Sequence, residues 1–149
     1  MKMLVCVDGS AQSMKAVDKA AEIASGCQIN EVSLIHVYEP IPLTYIEYVN
    51  ASQYKEQTER IDELNRQLVA DRREMLQKAA ASFKDKGIEP DMILEEGHPS
   101  HTIAQLAEEK KFDMIVMGNR GIGGLKKLIL GSVSNAVIQE SHTSVLVVK

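Results

Sequence analysis

The chain has 149 residues, and we expect one domain over residues 1–149 with a substantial core. Seventeen basic and twenty-one acidic residues give a net charge of −4 without a basic block, which argues against nucleic acid as a partner. The two cysteines, Cys6 and Cys27, form neither a disulfide framework nor a metal-ligand spacing, and a reducing cytoplasm suits them.

The first predicted element is a buried strand over residues 3–7, and the turn Asp8-Gly9-Ser10 follows it. Ser10 is a suitable N-cap for a helix. The start of the chain lacks the longer apolar region and the cleavage site of a signal peptide, and no apolar run approaches the roughly 18 residues of a membrane span. We therefore expect a cytoplasmic protein without a membrane partner.

A helix and a second strand come next. Apolar residues at steps of three and four predict an amphipathic helix over residues 11–25, with Gly26 as its C-cap. Residues 32–38 predict the second strand. Pro40 and Pro42 end it, because proline cannot donate to a sheet ladder.

The segment 39–57 is the least regular part of the chain. Tyr45, Tyr48 and Tyr54 lie in it and fit a flap over a ligand or a contact with a partner, although covering of the sheet edge is the interpretation we favour. Residues 59–86 then predict a long surface helix, which carries one apolar stripe among many charges and is closed by Gly87.

The remaining elements alternate strands with helices. Residues 92–94 predict the third strand, Pro99 lies near the first turn of a helix, and 114–117 predict a strand buried on both faces. Residues 132–141 predict the last helix and 145–148 the fifth strand. This alternation predicts a parallel α/β sheet with right-handed crossovers.

A glycine-rich loop joins the fourth strand to the last helix. Gly118, Gly121 and Gly131 precede Ser132 in the pattern G-x2-G-x9-G-S. Glycine permits positive φ and close backbone approach, so the loop can aim several N–H groups at an anion. Ser132 adds a hydroxyl at a helix N-terminus, where the helix dipole favours negative charge.

This loop resembles the nucleotide-binding signature of the universal stress protein family, in the subgroup that binds ATP. The resemblance spans nearly the whole chain, with further matches at Val5-Cys-Val-Asp-Gly-Ser10, Gly97-His-Pro99 and Val145-Leu-Val-Val148. It implies a Rossmann-like, adenine nucleotide alpha hydrolase-like sheet of order 3-2-1-4-5 with helices on both faces. Ligands bind at the switch point of such a sheet, where Asp8 and Gly118 converge.

The resemblance also implies a set of binding residues. Asp8 would lie near the adenosine end of the nucleotide, with a helix-leading cap as the alternative, and the backbone of Val37 would meet adenine. Ribose and phosphates would be held by Gly118, Asn119, Arg120, Gly121, Gly131, Ser132 and Val133. The implied ligand is ATP, with AMP or ADP as alternatives, and Mg²⁺ or Mn²⁺ would accompany the phosphates. Lys126 and Lys127 would assist, unless they form a solvated surface.

Other nucleotide-binding motifs are missing. No G-x4-G-K-[ST] P-loop occurs, and Gly121-Ile-Gly123-Gly124-Leu-Lys126 has lysine where a dinucleotide fingerprint needs its third glycine. The turn after the first strand also lacks the Ser-Gly-Gly-x-Asp-Ser loop of the related ATP pyrophosphatases. We therefore predict no catalytic residue and at most weak ATP hydrolysis.

Two further patterns leave questions open. The spacing of His98 and His101 suits half of a metal site, but no third ligand lies nearby in the sequence, so the metal ligands are unassigned. The segment Ser141-His142-Thr143-Ser144 stands where many family members carry cysteine and proline, which leaves the entry into the last strand open.

The function we favour is a cytoplasmic regulatory module of the stress response that binds ATP and changes its contacts with an unidentified protein partner. The alternatives are a nucleotide-independent dimeric interaction protein and a slow ATPase. The apolar strand 145–148 would lie at a sheet edge, which predicts a homodimer through this strand. Covering of that edge by the chain itself is the alternative.

Overall fold

The computed structural model describes residues 1–43, 51–121 and 130–149. The predictions for several residues lie outside this part of the chain: Tyr45, Tyr48, Gly123, Gly124, Lys126 and Lys127. Within it, strands and helices alternate along the chain. Their bounds are β1 Lys2–Cys6, α1 Ala11–Gly26, β2 Glu31–Tyr38, α2 Ala51–Lys84, β3 Asp91–Glu96, α3 Pro99–Glu109, β4 Met114–Gly118, α4 Ser132–Glu140 and β5 Ser144–Val148.

The five strands form one parallel sheet in the order β3-β2-β1-β4-β5, as predicted. β1 lies at its centre, where Met3 is in register with Val32 on one side and with Met114 on the other. A parallel pair needs a crossover between its strands, which explains why a helix follows each strand but the last. The order reverses between β1 and β4, so a crevice opens there beyond the strand ends.

The core has two halves, one on each face of the sheet. Met3 and Val5 of β1 pack with α1 and α2 on one face, whereas Leu4 and Cys6 pack with α3 and α4 on the other. Successive strand residues point to opposite faces, so a strand covered on both faces needs an apolar residue at every position. This explains the continuous apolar runs in the sequence.

The helix α1 begins as predicted and ends differently. The Ser10 Oγ accepts a hydrogen bond from the Ser13 N–H at 3.1 Å, which confirms the N-cap. The predicted C-cap at Gly26 is wrong: Gly26 is the last helical residue, and Gln28 takes the left-handed φ of 55°. The reason is the next residue, Ile29, whose N–H donates to the Ala24 carbonyl at 2.8 Å while its side chain enters the core.

The helix α2 begins earlier than predicted, so the assignment of residues 51–57 to an irregular segment is wrong. This stretch holds no proline or glycine and continues the helix without a break. Tyr54 lies on it with half of its surface exposed. Asn65 joins the helix to the chain after β2, because its Oδ1 accepts from the Ile41 N–H at 2.8 Å and its Nδ2 donates to the Ile41 carbonyl at 3.2 Å.

The entry into β5 follows a local turn. The Ser141 Oγ accepts a hydrogen bond from the Thr143 N–H at 3.1 Å, directly before the strand begins at Ser144. Ser141 thus stabilises the turn at the position where the family resemblance leads one to expect cysteine and proline. Among the helices of the described ranges, none combines the length and apolar character that a membrane crossing requires.

Candidate functional site

A pocket of about 440 Å³ lies at the carboxyl ends of β1, β2 and β4, between the N-termini of α3 and α4. This is the switch point of the sheet. Eight of the nine predicted site residues line the pocket: Asp8, Val37, Gly118, Arg120, Gly121, Gly131, Ser132 and Val133. The fold thus brings together segments that are more than a hundred residues apart in the sequence.

Asn119 is the predicted site residue that does not line the pocket. It is buried, and its backbone connects three elements. Its N–H donates to the Val148 carbonyl at 2.8 Å, and its carbonyl accepts from the Gly131 N–H at 2.7 Å. Asn119 therefore holds the loop against β5 and fixes the start of α4.

Asp8 has a structural contact and also faces the pocket. Its Oδ1 accepts from the Ser10 N–H at 2.9 Å, and its own N–H donates to the Ser13 Oγ at 3.3 Å. The N-cap of α1 is Ser10, so Asp8 is not itself the helix cap; its Oδ1 holds the turn before the helix. The other oxygen, Oδ2, is turned towards Gly121: a Cβ added to that glycine would lie 2.5 Å from it.

The described glycines of the loop, Gly118, Gly121 and Gly131, are needed for close approach. A Cβ at Gly118 would lie 2.8 Å from the backbone carbonyl of Gln12 in α1, and one at Gly131 would lie 3.3 Å from the Arg120 Cα. The positive-φ reason given from the sequence is wrong for the pocket glycines, because the described glycines with positive φ are Gly9, Gly87 and Gly97. At Gly118 and Gly121 the chain packs closely against α1 and the Asp8 turn, respectively.

The start of α4 forms the end of the pocket where phosphates are expected, here called the phosphate end. Gly131 is its N-cap, and within the described part of the chain no side chain caps the first turn, which leaves the N–H groups near Ser132 and Val133 for a ligand. Arg120 lies beside them, and its buried Nε has no hydrogen-bond partner among the described residues. A guanidinium stays charged at any ordinary pH, so this end of the pocket favours an anion.

The strand β2 forms the end of the pocket where the base is expected, here called the base end. The ladder between β1 and β2 stops at Cys6 opposite Ile35, and the Val7 N–H donates to the Ile35 carbonyl at 2.8 Å. Alternate residues of a parallel strand turn both backbone groups to the same side. The N–H and carbonyl of Val37 therefore point to the side where β1 no longer runs next to β2. On this side they face the pocket.

Sequence reasoning missed the side chains that surround these groups. Ile35, Ile103 and Met117 form apolar walls, and Ser13 and Ser134 lie in the lining. The apolar residues follow the same patterns as ordinary core positions, so no signal distinguishes them. The two serines are buried in the first turns of α1 and α4, where a polar residue is a signal that could have been used.

Two titratable groups of the lining are kept neutral. Burial raises the pKa of the Cys6 thiol to about 12, and the nearby Asp8 carboxylate adds to this increase. Burial also lowers the pKa of His36; the Arg72 charge lowers it further, while a hydrogen bond to Val7 and the Asp8 charge act in the opposite direction. Neither group therefore carries charge near neutral pH.

The described residues supply no ready-made metal centre: across 1–43, 51–121 and 130–149, no three histidines, cysteines or carboxylates are grouped to hold an ion. His98 is the exposed N-cap of α3, its Nδ1 lies 3.2 Å from the Ser100 Oγ, and His101 is exposed one turn later. A cation in the pocket would depend chiefly on oxygens brought by a ligand, which is the usual arrangement for Mg²⁺ with phosphates.

Comparison with known proteins places the chain in a family. The model of the universal stress protein family matches residues 1–149. Universal stress protein YxiE of Bacillus subtilis is 37% identical over 148 residues, which cover 99% of this chain and 98% of that protein. The structure of hypothetical protein MJ0577, a universal stress protein of Methanocaldococcus jannaschii, has a TM-score of 0.79 at 28% identity and covers 99% of this chain and 94% of its own.

A second solved structure shows a relative with a ligand. It is a universal stress protein in complex with cAMP, with a TM-score of 0.67 at 26% identity over 100% of this chain and 96% of its own. Since the family model covers the whole chain and the Bacillus relative aligns from end to end, the chain belongs to the universal stress protein family.

Proposed function

We propose that the protein is a cytoplasmic, ATP-binding regulatory module of the stress response, in which the nucleotide state changes contacts with another protein. One observation carries the proposal: a single pocket joins a strand-end backbone suited to a base with an uncapped helix N-terminus and a partly buried guanidinium suited to phosphates. The volume of about 440 Å³ falls in the usual range for small-molecule sites.

The base end favours adenine. The adjacent N–H and carbonyl of Val37 match the ring-nitrogen acceptor and amino donor that adenine presents side by side. Guanine presents a carbonyl and a ring N–H in the reversed arrangement, which would leave buried polar groups opposed. The apolar side chains of Ile35 and Ile103 suit the faces of the base. We therefore expect ATP to bind more tightly than GTP.

The phosphate end favours a charged, extended ligand. The first-turn N–H groups of α4, the Ser132 hydroxyl and the Arg120 guanidinium would contact the phosphates, with Mg²⁺ or Mn²⁺ bound mainly by the phosphate oxygens. Asp8 lies between the two ends, where its carboxylate would accept from a ribose hydroxyl. We propose ATP as the ligand and AMP or ADP as weaker ones.

A cyclic nucleotide is the second candidate, because a similar structure contains cAMP. The same base end would receive it, but its single phosphate charge would use fewer of the groups at the α4 N-terminus. The two candidates therefore differ in how strongly they depend on Arg120 and on an added cation.

The proposed activity is binding, with hydrolysis at most slow. In the described lining Asp8 is the one carboxylate: its Oδ1 already accepts a hydrogen bond from Ser10, and its Oδ2 would accept from the ribose. A general base must be free to accept a proton from an attacking water. The arrangement thus favours a nucleotide sensor over an efficient ATPase.

We further propose that the protein forms a homodimer through β5. The edge strands differ in chemistry: β5 has no charged residue from Ser144 to Val148, whereas β3 carries Asp91, Glu95 and Glu96. Charges on an edge strand oppose pairing with another chain, and an apolar edge invites it. Val148 also accepts from the Asn119 N–H, so the dimer edge and the nucleotide loop are directly linked.

The test begins with purified protein from which any bound nucleotide has been released by denaturation and identified. After refolding, calorimetry and thermal unfolding are measured with ATP and Mg²⁺, with GTP and Mg²⁺, and with cAMP. We expect the melting temperature to rise most with ATP, because a ligand of the native state stabilises it by mass action. Absence of both heat and thermal shift at millimolar ATP would contradict the proposal, and a preference for cAMP would favour the second candidate.

A further inference from the structure

We propose that His36 is a positioning residue of the pocket, which keeps the Val37 N–H available to the base and holds the Asp8 turn only while its imidazole is neutral. The inference rests on the proposed nucleotide site and adds a residue and a pH dependence to it. It is carried by one contact, between the His36 Nδ1 and the Val7 carbonyl.

His36 lies in β2 immediately before Val37 and is 7% exposed. Its Nδ1 is 2.7 Å from the carbonyl oxygen of Val7, the first residue after β1. A carbonyl oxygen only accepts, so Nδ1 carries the hydrogen and donates it. In the neutral ring, Nε2 then has no hydrogen and can only accept.

This contact replaces a backbone pairing. The Val7 N–H already donates to the Ile35 carbonyl, so a continuing parallel ladder would next pair the Val7 carbonyl with the Val37 N–H. In the structure the imidazole bonds to that carbonyl, and the Val37 N–H does not. As a result the Val37 N–H remains for a ligand, and the chain is fixed one residue before Asp8.

The surroundings oppose a charged imidazole. Burial is the main cause of the lowered His36 pKa, and the Arg72 guanidinium on α2 lowers it further. On the other side, the Asp8 carboxylate favours the charged form, while the Cys6 thiol in the same lining stays protonated. A second proton would thus add a positive charge to a buried position that the Arg72 charge already disfavours for a cation.

The expected consequence is weaker ligand binding in acid. The folded pKa of His36 lies below its ordinary value of 6.5, so the neutral ring persists above that value and is lost as the pH falls through the lowered pKa. The imidazolium would keep its Nδ1–H, so the driving force is burial and the Arg72 charge, which oppose a charged ring at this position and favour its exit towards water, leaving the Val7 carbonyl to the Val37 N–H. Ligand binding therefore favours the neutral form of His36, and protonation of His36 weakens ligand binding.

The experiment compares His36→Asn with His36→Phe. The amide nitrogen of asparagine can donate at the position of Nδ1 without titrating, whereas phenylalanine keeps the ring and loses the donor. His101→Phe is the matched control, because His101 is exposed and outside the lining. Affinity for ATP with Mg²⁺ is measured by calorimetry at about pH 7.5 and about pH 5.5, on either side of the ordinary histidine pKa.

At the higher pH, we expect His36→Phe to bind ATP at least about fivefold more weakly than the parent, and His36→Asn to stay within about twofold. In acid, the parent should lose affinity relative to His36→Asn, a comparison in which the titration of ATP itself cancels. Nitrogen NMR of the ligand-free parent near neutral pH should show His36 as the neutral ring with its hydrogen on Nδ1.

The outcomes separate the two proposals. A parent that does not bind ATP at the higher pH removes the nucleotide site and this inference with it. Should the parent bind while His36→Phe binds equally well, the nucleotide site stands and the positioning role of His36 is wrong. If His36→Phe does not fold, two other results overturn the inference. One is that His36→Asn loses as much ATP affinity in acid as the parent, and the other is that nitrogen NMR places the ring hydrogen on Nε2.

Discussion

At the scale of single residues, the chemistry of the pocket depends on where side chains are missing. Gly118 and Gly121 allow the loop to approach α1 and the Asp8 carboxylate to within distances that no Cβ tolerates. Both glycines were predicted from their spacing, but the partners that require them lie at the other end of the chain. The sequence does not distinguish a glycine that is required for close packing from one that is required for a positive φ.

We predict that Gly121→Val abolishes ATP binding and leaves the fold intact. Its side chain would displace the Asp8 Oδ2, which lies 2.5 Å from the position of the added Cβ. Gly26→Val is the matched control, because a Cβ there meets nothing within 4 Å. Calorimetry with ATP and Mg²⁺ is the measurement, with circular dichroism for the fold. Binding by a folded Gly121→Val equal to that of the parent would show that the loop is not the phosphate site.

The two cysteines should differ in reactivity. Cys6 is buried and its pKa is raised to about 12, whereas Cys27 is exposed. Because the thiolate is the reactive form, we predict that iodoacetamide modifies Cys27 alone in the native protein near pH 8, and both cysteines after denaturation in urea. Peptide mass spectrometry identifies the modified residue. Rapid labelling of Cys6 in the native state would contradict its burial in the pocket lining.

At the scale of elements, three helices end with the same turn. A residue in the left-handed region precedes a buried apolar residue whose N–H reaches back into the helix: Gln28 before Ile29, Gly87 before Ile88 and Lys111 before Phe112. Only one of the three turns uses glycine. Burial of the following side chain decides where the helix stops, which explains why Gly87 was predicted correctly and Gly26 was not.

We expect only the C-terminal half of α2 to contribute strongly to the free energy of unfolding. Phe83 is fully buried against the sheet, whereas Leu64, five turns earlier, is 44% exposed. We predict that Phe83→Ala lowers the free energy of unfolding by about 3–5 kcal/mol. Leu64→Ala, the control on the same helix, should lower it by less than about 1 kcal/mol. Urea unfolding at one protein concentration measures both, and equal losses would contradict the division of the helix.

At the scale of the whole molecule, the proposed dimer gives the clearest prediction. Light scattering at micromolar concentration should show a dimer for the parent and a monomer for Val147→Lys, because a lysine in the pairing strand opposes burial. Met92→Lys places the same charge on β3, the other edge strand, and should remain dimeric. A monomeric parent, or a fully dimeric Val147→Lys, would exclude β5 as the interface.

The sequence by itself determined the kinds of elements and their order, because hydrophobic periodicity and turn residues act over a few neighbours in the chain. The run at 114–117, the glycine spacing and the N-cap at Ser10 are signals of this local kind. The resemblance to a family then supplied the strand order, which the sheet confirms. The same resemblance supplied the candidate binding residues, and the strand order explains why they meet, since it brings the ends of β1 and β4 together.

Only the tertiary structure decided the contacts between distant segments. The approach of Asp8 to Gly121, the imidazole of His36 on the Val7 carbonyl and the clamp of Asn65 on Ile41 each join residues far apart in the chain. Such contacts depend on the register of neighbouring strands and on which polar atoms are left after the ladders are paired. A local sequence pattern predicts neither the register nor these unpaired atoms, because both depend on how the strands and the two halves of the core pack together.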